Sequence, residues 1–179
     1  MSEVETERLW LRPWRAEDEA QLGRLFTDPE VMRHIAGRPL TLAEVAEVAE
    51  RSLQQWARNG FGPWAAIEKA TGRWVGRIGL NELLDWPGPH KVEVGWELDP
   101  ACWGRGLATE GGLAGVGYGF GVVGLERIIS VTVPANRASW RVMEKCGLCR
   151  QGECDFRGAR VVWYALDRGA WQVTQEAKG

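Results

Sequence analysis

"WGRGLATEGG", residues 103–112, sets Gly104 and Gly106 around Arg105 and then runs into alanine, threonine and glutamate. The first half has the composition of a loop whose backbone must be approachable, and the second half opens a helix. Ahead of it, "KVEVGWEL" (91–98) alternates as a strand does. Beyond it, "ERIISVTV" (126–133) has the β-branched character of a buried strand. Strand, glycine loop, helix and strand make a β-α-β crossover, whose two strands run parallel. A loop at that place presents free amide N–H groups at the positive end of a helix, so it favours an anion.

Outward from this unit, "ERLWLRPW" (7–14) alternates like a half-buried strand. In "RAEDEAQLGRLFTDPEVMRHI" (15–35), Ala20, Leu22, Leu25 and Phe26 share a helical face that ends near Asp28-Pro29. Thr41 with Glu44 predicts a capping box for a second helix. Its Leu42, Val45, Val48, Ala49, Leu53 and Trp56 recur at helical spacing, and Asn59-Gly60 ends it. "PWAAIEK" (63–69) and "WVGRIGLNEL" (74–83) flank Ala70-Thr71-Gly72 as a hairpin, and "DWPGPH" (85–90) is a loop. "ANRASWRVMEKCG" (135–147) reads as a helix closed by Gly147, and two last strands flank Arg157-Gly158-Ala159. The order is β-α-α-β-β-β-α-β-α-β-β. It predicts an α/β fold: a mixed sheet with helices on both faces, in one domain over residues 1–179.

The chain has 179 residues, 45% apolar and 26% charged, as in a globular protein with a proper core. A net charge of −2, with no basic run, argues against a dedicated nucleic-acid binder. No apolar stretch is long enough for a membrane span, and "MSEVETERLW" (1–10) lacks a secretory pattern, so the cytoplasm is the expected location. Cys102, Cys146, Cys149 and Cys154 should then be thiols. Cys146 and Cys149 have C-x-x-C spacing but no second ligand pair, so small core thiols are expected and no metal. His90, in the proline-rich turn, is expected to face solvent.

Three phosphate loops compete for "GRGLAT" (104–109). A P-loop needs Lys-Ser or Lys-Thr after its glycines, and none follows. A dinucleotide fingerprint needs a third glycine where Thr109 stands and belongs after the first strand of its unit. The loop instead resembles the acetyl-CoA signature [RQ]-x-x-G-x-[GA] of the GCN5-related N-acetyltransferase superfamily. Gly106 and Ala108 match it, with Trp103 where Gln or Arg is commonest. "NRASWRVMEKCGL" (136–148) resembles N-x-x-S-x-x-x-x-E-K-x-G-[FL] of the ribosomal-protein-acetyltransferase-like (Rim-type) branch, through Asn136, Ser139, Glu144, Lys145, Gly147 and Leu148. "TERLWLRPW", "DPEVMRHIAGRPLT" and "RGARVVWYALDRGAW" resemble that branch's opening, helix-loop-helix and last strand, so the likeness runs from 6 to 171.

The resemblance implies direct transfer of acetyl from acetyl-CoA to a primary amine, either a protein N-terminus or a small molecule, with no acyl-enzyme. It implies a central strand splayed from its parallel neighbour, with pantetheine added like a further strand between "VGWEL" and "SVTVP". Backbone at Glu97 and Leu98 would pair with pantetheine, and amides from Gly104, Arg105, Gly106, Leu107, Ala108 and Thr109 would cradle the pyrophosphate. Gly95 would serve a bulge or a close approach. Ser139 would be acid or hydrogen-bond donor to the thiolate, in place of the tyrosine common in relatives. Asn136 would cap its helix and touch the cofactor. Glu93 and Glu97 share a strand face, and Glu93 is favoured as the base, acting through a water. His34 would contact the acceptor, in a pocket built from 28–40 and 155–160. A homodimer is common among relatives. The alternative is a module that binds acyl-CoA without catalysis, and a nucleotide-binding regulator is a third reading. Six glycines (Gly111, Gly112, Gly115, Gly117, Gly119, Gly121) cost the helix after the loop roughly 5 kcal/mol of propensity. That helix is expected to depend on packing and cofactor.

Overall fold

The computed structural model describes residues 3–35 and 37–177; Ala36, inside the predicted acceptor segment, lies outside the described residues. Eight strands form one sheet: β1 (Val4–Glu5), β2 (Leu9–Pro13), β3 (Pro63–Glu68), β4 (Arg73–Glu82), β5 (Val92–Leu98), β6 (Arg127–Thr132), β7 (Cys149–Phe156) and β8 (Ala159–Asp167). Their order is β1-β2-β3-β4-β5-β6-β8-β7. Every neighbouring pair is antiparallel except β5 and β6, the two strands of the crossover. The helices are α1 (Glu19–Phe26), α2 (Pro29–Met32), α3 (Leu42–Asn59), α4 (Leu107–Tyr118), α5 (Arg137–Lys145) and α6 (Arg168–Glu176).

The period-2 pattern sorts side chains between faces. One face carries the buried Trp64, Ile78, Leu80 and Val94 and receives α4. On the reverse face, Arg12 holds Asp18, at the entry to α1, through two hydrogen bonds of 2.7 Å. α1 packs on β4, and α3 packs on α1. Helices therefore cover both faces.

The helical stripes differ from expectation in detail. Ala20 is exposed, because the buried side of α1 is Leu22, Leu25 and Phe26. In α3, Val45, Ala49 and Trp56 are buried, but Leu42 is 75% exposed and Leu53 lies at the surface. Ser52 and Gln55 take inward places instead. Ser52 Oγ donates to Val48 O at 2.9 Å, and Gln55 Nε2 donates to Leu80 O at 2.9 Å. A buried polar group is tolerated when it is paired, and apolar periodicity cannot register that. The chain after β8 turns into α6, a helix the sequence reading left out, with Trp171 against Phe120 at 5.4 Å.

Three glycines of α4 have a packing reason. A β-carbon at Gly111 would lie 2.5 Å from Ile78 Cδ1, at Gly112 2.8 Å from Cys146 Sγ, and at Gly115 3.1 Å from Val94 Cγ2. Bare backbone on this side lets α4 sit close on β4 and β5. The helix then passes through a π turn, Gly119–Val123.

Candidate functional site

β5 pairs with β4 along its whole length, Val92–Leu98 against Gly76–Glu82. With β6 it registers only Glu93 against Ile129, next to Ser130 Oγ donating to Val94 O at 2.8 Å. Beyond that point the parallel strands part, which opens a wedge along Gly95–Leu98.

The glycine loop stands at the mouth of this wedge. Gly104 and Gly106 have φ of +71° and +81°, values that favour glycine. Gly106 begins α4 with no side-chain cap. Among the described residues, no amide from Gly104 to Thr109 has a protein acceptor. Trp103 has its own function: its indole Nε1 donates to Leu98 O at 2.8 Å and braces the loop against the end of β5. One lone pair of that Leu98 carbonyl is thus already engaged. From the sheet edge, Arg8 donates to Arg105 O at 2.8 Å and pairs with Glu110 at 2.6 Å. Thr6 Oγ1 donates to the same carboxylate at 2.6 Å, and Arg105 pairs with Glu68.

On the reverse face of β4 and β5, Arg77, Asn81, Glu93 and Glu97 gather. Arg77 holds Glu97 at 3.2 Å and donates to Asn81 Oδ1 at 2.5 Å. Burial, with the Glu97 charge, pushes the Glu93 carboxyl up to about 8, against the pull of Arg77 and Arg157. No bulge occurs at Gly95, which pairs regularly with Gly79; the expectation of a bulge is corrected to close approach by Asn81.

Ser139 lies in α5, whose buried Met143 and Cys146 belong to the same helical face. Cys146 packs against the first turns of α4. Asn136 Oδ1 accepts from Ser139 N at 3.2 Å, so the predicted cap is present, while Asn136 Nδ2 donates to Thr132 Oγ1 at 3.2 Å. The Ser139 hydroxyl has no protein partner among the described residues. Ser139 and Glu93 thus belong to opposite faces of the sheet.

Among the segments expected to border the acceptor, Arg157 in the β7–β8 turn makes two 2.7 Å hydrogen bonds to Asp85. Trp86 packs against Phe156 at 5.1 Å and Trp163 at 5.6 Å. His34 accepts from Arg33 Nε at 3.0 Å, and burial with the Arg33 charge lowers its pKa. His90 is half-buried rather than exposed, since the 85–90 loop folds onto the sheet. Cys102 and Cys146 are buried, but Cys149 is exposed and Cys154 half-buried, correcting the expectation of core thiols. Both belong to β7, the last strand of the sheet. Among the described residues no group of three or more His, Cys, Asp or Glu could hold a metal, and no helix is long and apolar enough to cross a membrane. Sequence reading missed Arg77 and Asn81; two polar residues four apart, on one face of a central strand, were the available signal.

Residues 8–148 match the family model described as an acetyltransferase (GNAT) domain. The FsC-acetyl coenzyme A-N(2)-transacetylase of Aspergillus fumigatus is 35% identical over 157 residues, 81% of this chain and 64% of that protein. The chain thus spans somewhat under two thirds of that relative's length. The crystal structure of an acetyltransferase from Agrobacterium tumefaciens superposes with a TM-score of 0.80 at 27% identity, covering 93% of this chain and 94% of that one. AAC(6')-Ib in complex with acetyl-CoA shares the fold, with a TM-score of 0.80 at 23% identity over 94% of this chain and 98% of the other. With the parted strands and the open helix end already in place, these likenesses identify the chain as a member of the GNAT acetyltransferase family.

Proposed function

We propose that the chain is an acetyl-CoA-dependent N-acetyltransferase of the Rim-type branch, acting on a primary amine by direct transfer. The observation that carries this reading is the set of acceptor-free amides, Gly104–Thr109, at the mouth of a parting parallel strand pair. These amides suit a diphosphate, and the free β5 edge at Glu97 and Leu98 suits the amides of a pantetheine arm. Acetyl-CoA supplies the activated acetyl group as co-substrate. Glu93 takes the proton from the acceptor ammonium, a duty for which a carboxyl titrating near 8 is well matched. Ser139, approaching from α5, donates to the departing sulfur. Asn136 holds the start of α5 in place. His34 and the 155–160 turn border the acceptor. A named acetyl transfer to a nitrogen in the Aspergillus relative supports an amine acceptor.

Thiol release from acetyl-CoA in the presence of peptides with free N-termini, alkyl diamines and aminoglycosides tests the reading. Release with one class is expected, and tight acetyl-CoA binding with no release across the panel would favour the non-catalytic module. Ser139→Ala should lower kcat and spare acetyl-CoA affinity; full activity at every pH would remove Ser139 from its role. Turnover should rise with pH as Glu93 ionises near 8, and Glu93→Gln should lose that limb together with about 100-fold in kcat. Stability has the opposite trend. The raised Glu93 carboxyl contributes stability fully present below its unfolded pKa of about 4.3 and lost as pH rises through about 8. The Tm of Glu93→Gln should therefore gain on the parent protein between about pH 5 and 8.

A further inference from the structure

Arg8 stands immediately before β2, and its backbone is held on both sides. Its N–H donates to Glu110 Oε1 at 2.7 Å, and its carbonyl accepts from Lys69 N at 2.9 Å. The side chain is fixed twice more, by Nε donating to Glu110 Oε2 at 2.6 Å and Nη1 donating to Arg105 O at 2.8 Å. Two such bonds set the plane of a rigid guanidinium. The remaining nitrogen, Nη2, lies 3.4 Å from the β-position of Gly106, the residue that opens α4. Among the described residues Nη2 has no protein acceptor.

The charges around it make Arg8 the cation of this helix end. Arg105, inside the glycine loop, is committed to Glu68 on β3. Glu110, in the first turn of α4, would repel an anion at the helix start, but Thr6 and Arg8 hold its carboxylate. The open amides carry only partial charges, equivalent to about half an elementary charge for a whole helix end. A fixed guanidinium with unused N–H bonds adds a full charge and the charge-assisted hydrogen bond that suits a phosphate oxygen.

We propose that Arg8 belongs to the coenzyme site, with Nη2 donating to a phosphate oxygen of the diphosphate seated on the amides of 104–109. This rests on acetyl-CoA being the co-substrate. Arg8 lies outside the glycine-loop signature, so the diphosphate is gripped by two segments that only the fold brings together. Glu110 is a positioning residue, which aims the guanidinium and does not touch the ligand.

The test is calorimetry on the parent protein, Arg8→Gln and Glu110→Gln, with thermal unfolding to establish that each is folded. The ligands are acetyl-CoA, acetyl-dephospho-CoA, which lacks the 3′-phosphate, and S-acetylpantetheine, which lacks the diphosphate. Arg8→Gln should weaken both coenzyme forms about 10- to 100-fold and leave S-acetylpantetheine unchanged. Its acetyl-CoA affinity should also fall less steeply with added salt than the parent's. Glu110→Gln keeps the Arg8 charge and should retain acetyl-CoA affinity. If Arg8→Gln fails to fold, the parent protein carries the test, because the Arg8 side chain is 43% exposed and open to phenylglyoxal. Acetyl-CoA should then block modification at Arg8, located by mass spectrometry, and S-acetylpantetheine should not. Unchanged acetyl-CoA affinity in Arg8→Gln, an equal loss for S-acetylpantetheine, an equal loss in Glu110→Gln, or no protection overturns the proposal. So does a penalty that vanishes with acetyl-dephospho-CoA, since Arg8 would then serve the 3′-phosphate. If the parent protein itself does not bind acetyl-CoA, the co-substrate reading falls and takes the proposal with it.

Discussion

The starts of α3 and α4 solve one problem in opposite ways. At α3, Thr41 accepts from Glu44 N at 3.3 Å, and the Glu44 carboxylate accepts from Thr41 N at 2.8 Å. Arg38 closes the arrangement with an ion pair at 2.6 Å, and together these groups hold Glu44 down at about 2. At α4 there is no capping side chain, and Glu110 turns away toward Thr6 and Arg8. A helix leaves its first amides without internal partners, and a protein ordinarily supplies them. One helix here is closed by its own side chains. The other leaves its first amides without a protein acceptor, as the proposed diphosphate site requires. The bodies differ likewise: α3 is amphipathic and ends on Gly60 at φ +70°, whereas α4 rests on bare backbone pressed against Ile78, Val94 and Cys146.

The contrast can be broken most severely at the open end. Gly106→Glu places a carboxylate at the proposed anion site and a side chain on a φ of +81°. Calorimetry should show acetyl-CoA affinity falling by about 100-fold or more, about 2.7 kcal/mol. Next comes the pressed face. Gly111→Val must displace the fully buried Ile78, and chemical denaturation should register a loss of about 2–3 kcal/mol. At the closed end, Thr41→Ala should cost about 1 kcal/mol and leave acetyl-CoA binding unchanged. The smallest effect has the opposite sign. Gly117, with nothing within 4 Å of its β-position, should accept alanine and gain about 0.5–1 kcal/mol in the same denaturation series.

The same two helices show what the sequence could tell. The capping box at Thr41 and Glu44 is a local pattern, and the structure reproduces it. The β-α-β crossover and its glycine loop were legible because handedness and connection length leave few alternatives. The glycines of α4 and its π turn read as a deficit, because propensity is local while the Ile78 and Val94 that Gly111 and Gly115 approach come from neighbouring strands of the sheet. The Arg77–Asn81 pair escaped notice for a related reason: its meaning depends on Glu93 and Glu97 lying across the β4–β5 register. Asn136 was read correctly as a cap, while Leu42 was misplaced, because periodicity weighs apolar residues and ignores the paired polar groups that displace them.

The braces from Thr6 and Arg8 to Glu110 and Arg105 bear on how this protein is cut. Residues 8–148, the span recognised by the family model, would make a tempting fragment. Trimming there discards Thr6, which steadies the first turn of α4, and β8, which backs β6 from Arg127 to Thr132. Such a piece would keep the glycine loop and the 136–148 motif and lose strands that frame them, so the portion most easily recognised is expected to be smaller than the portion able to work.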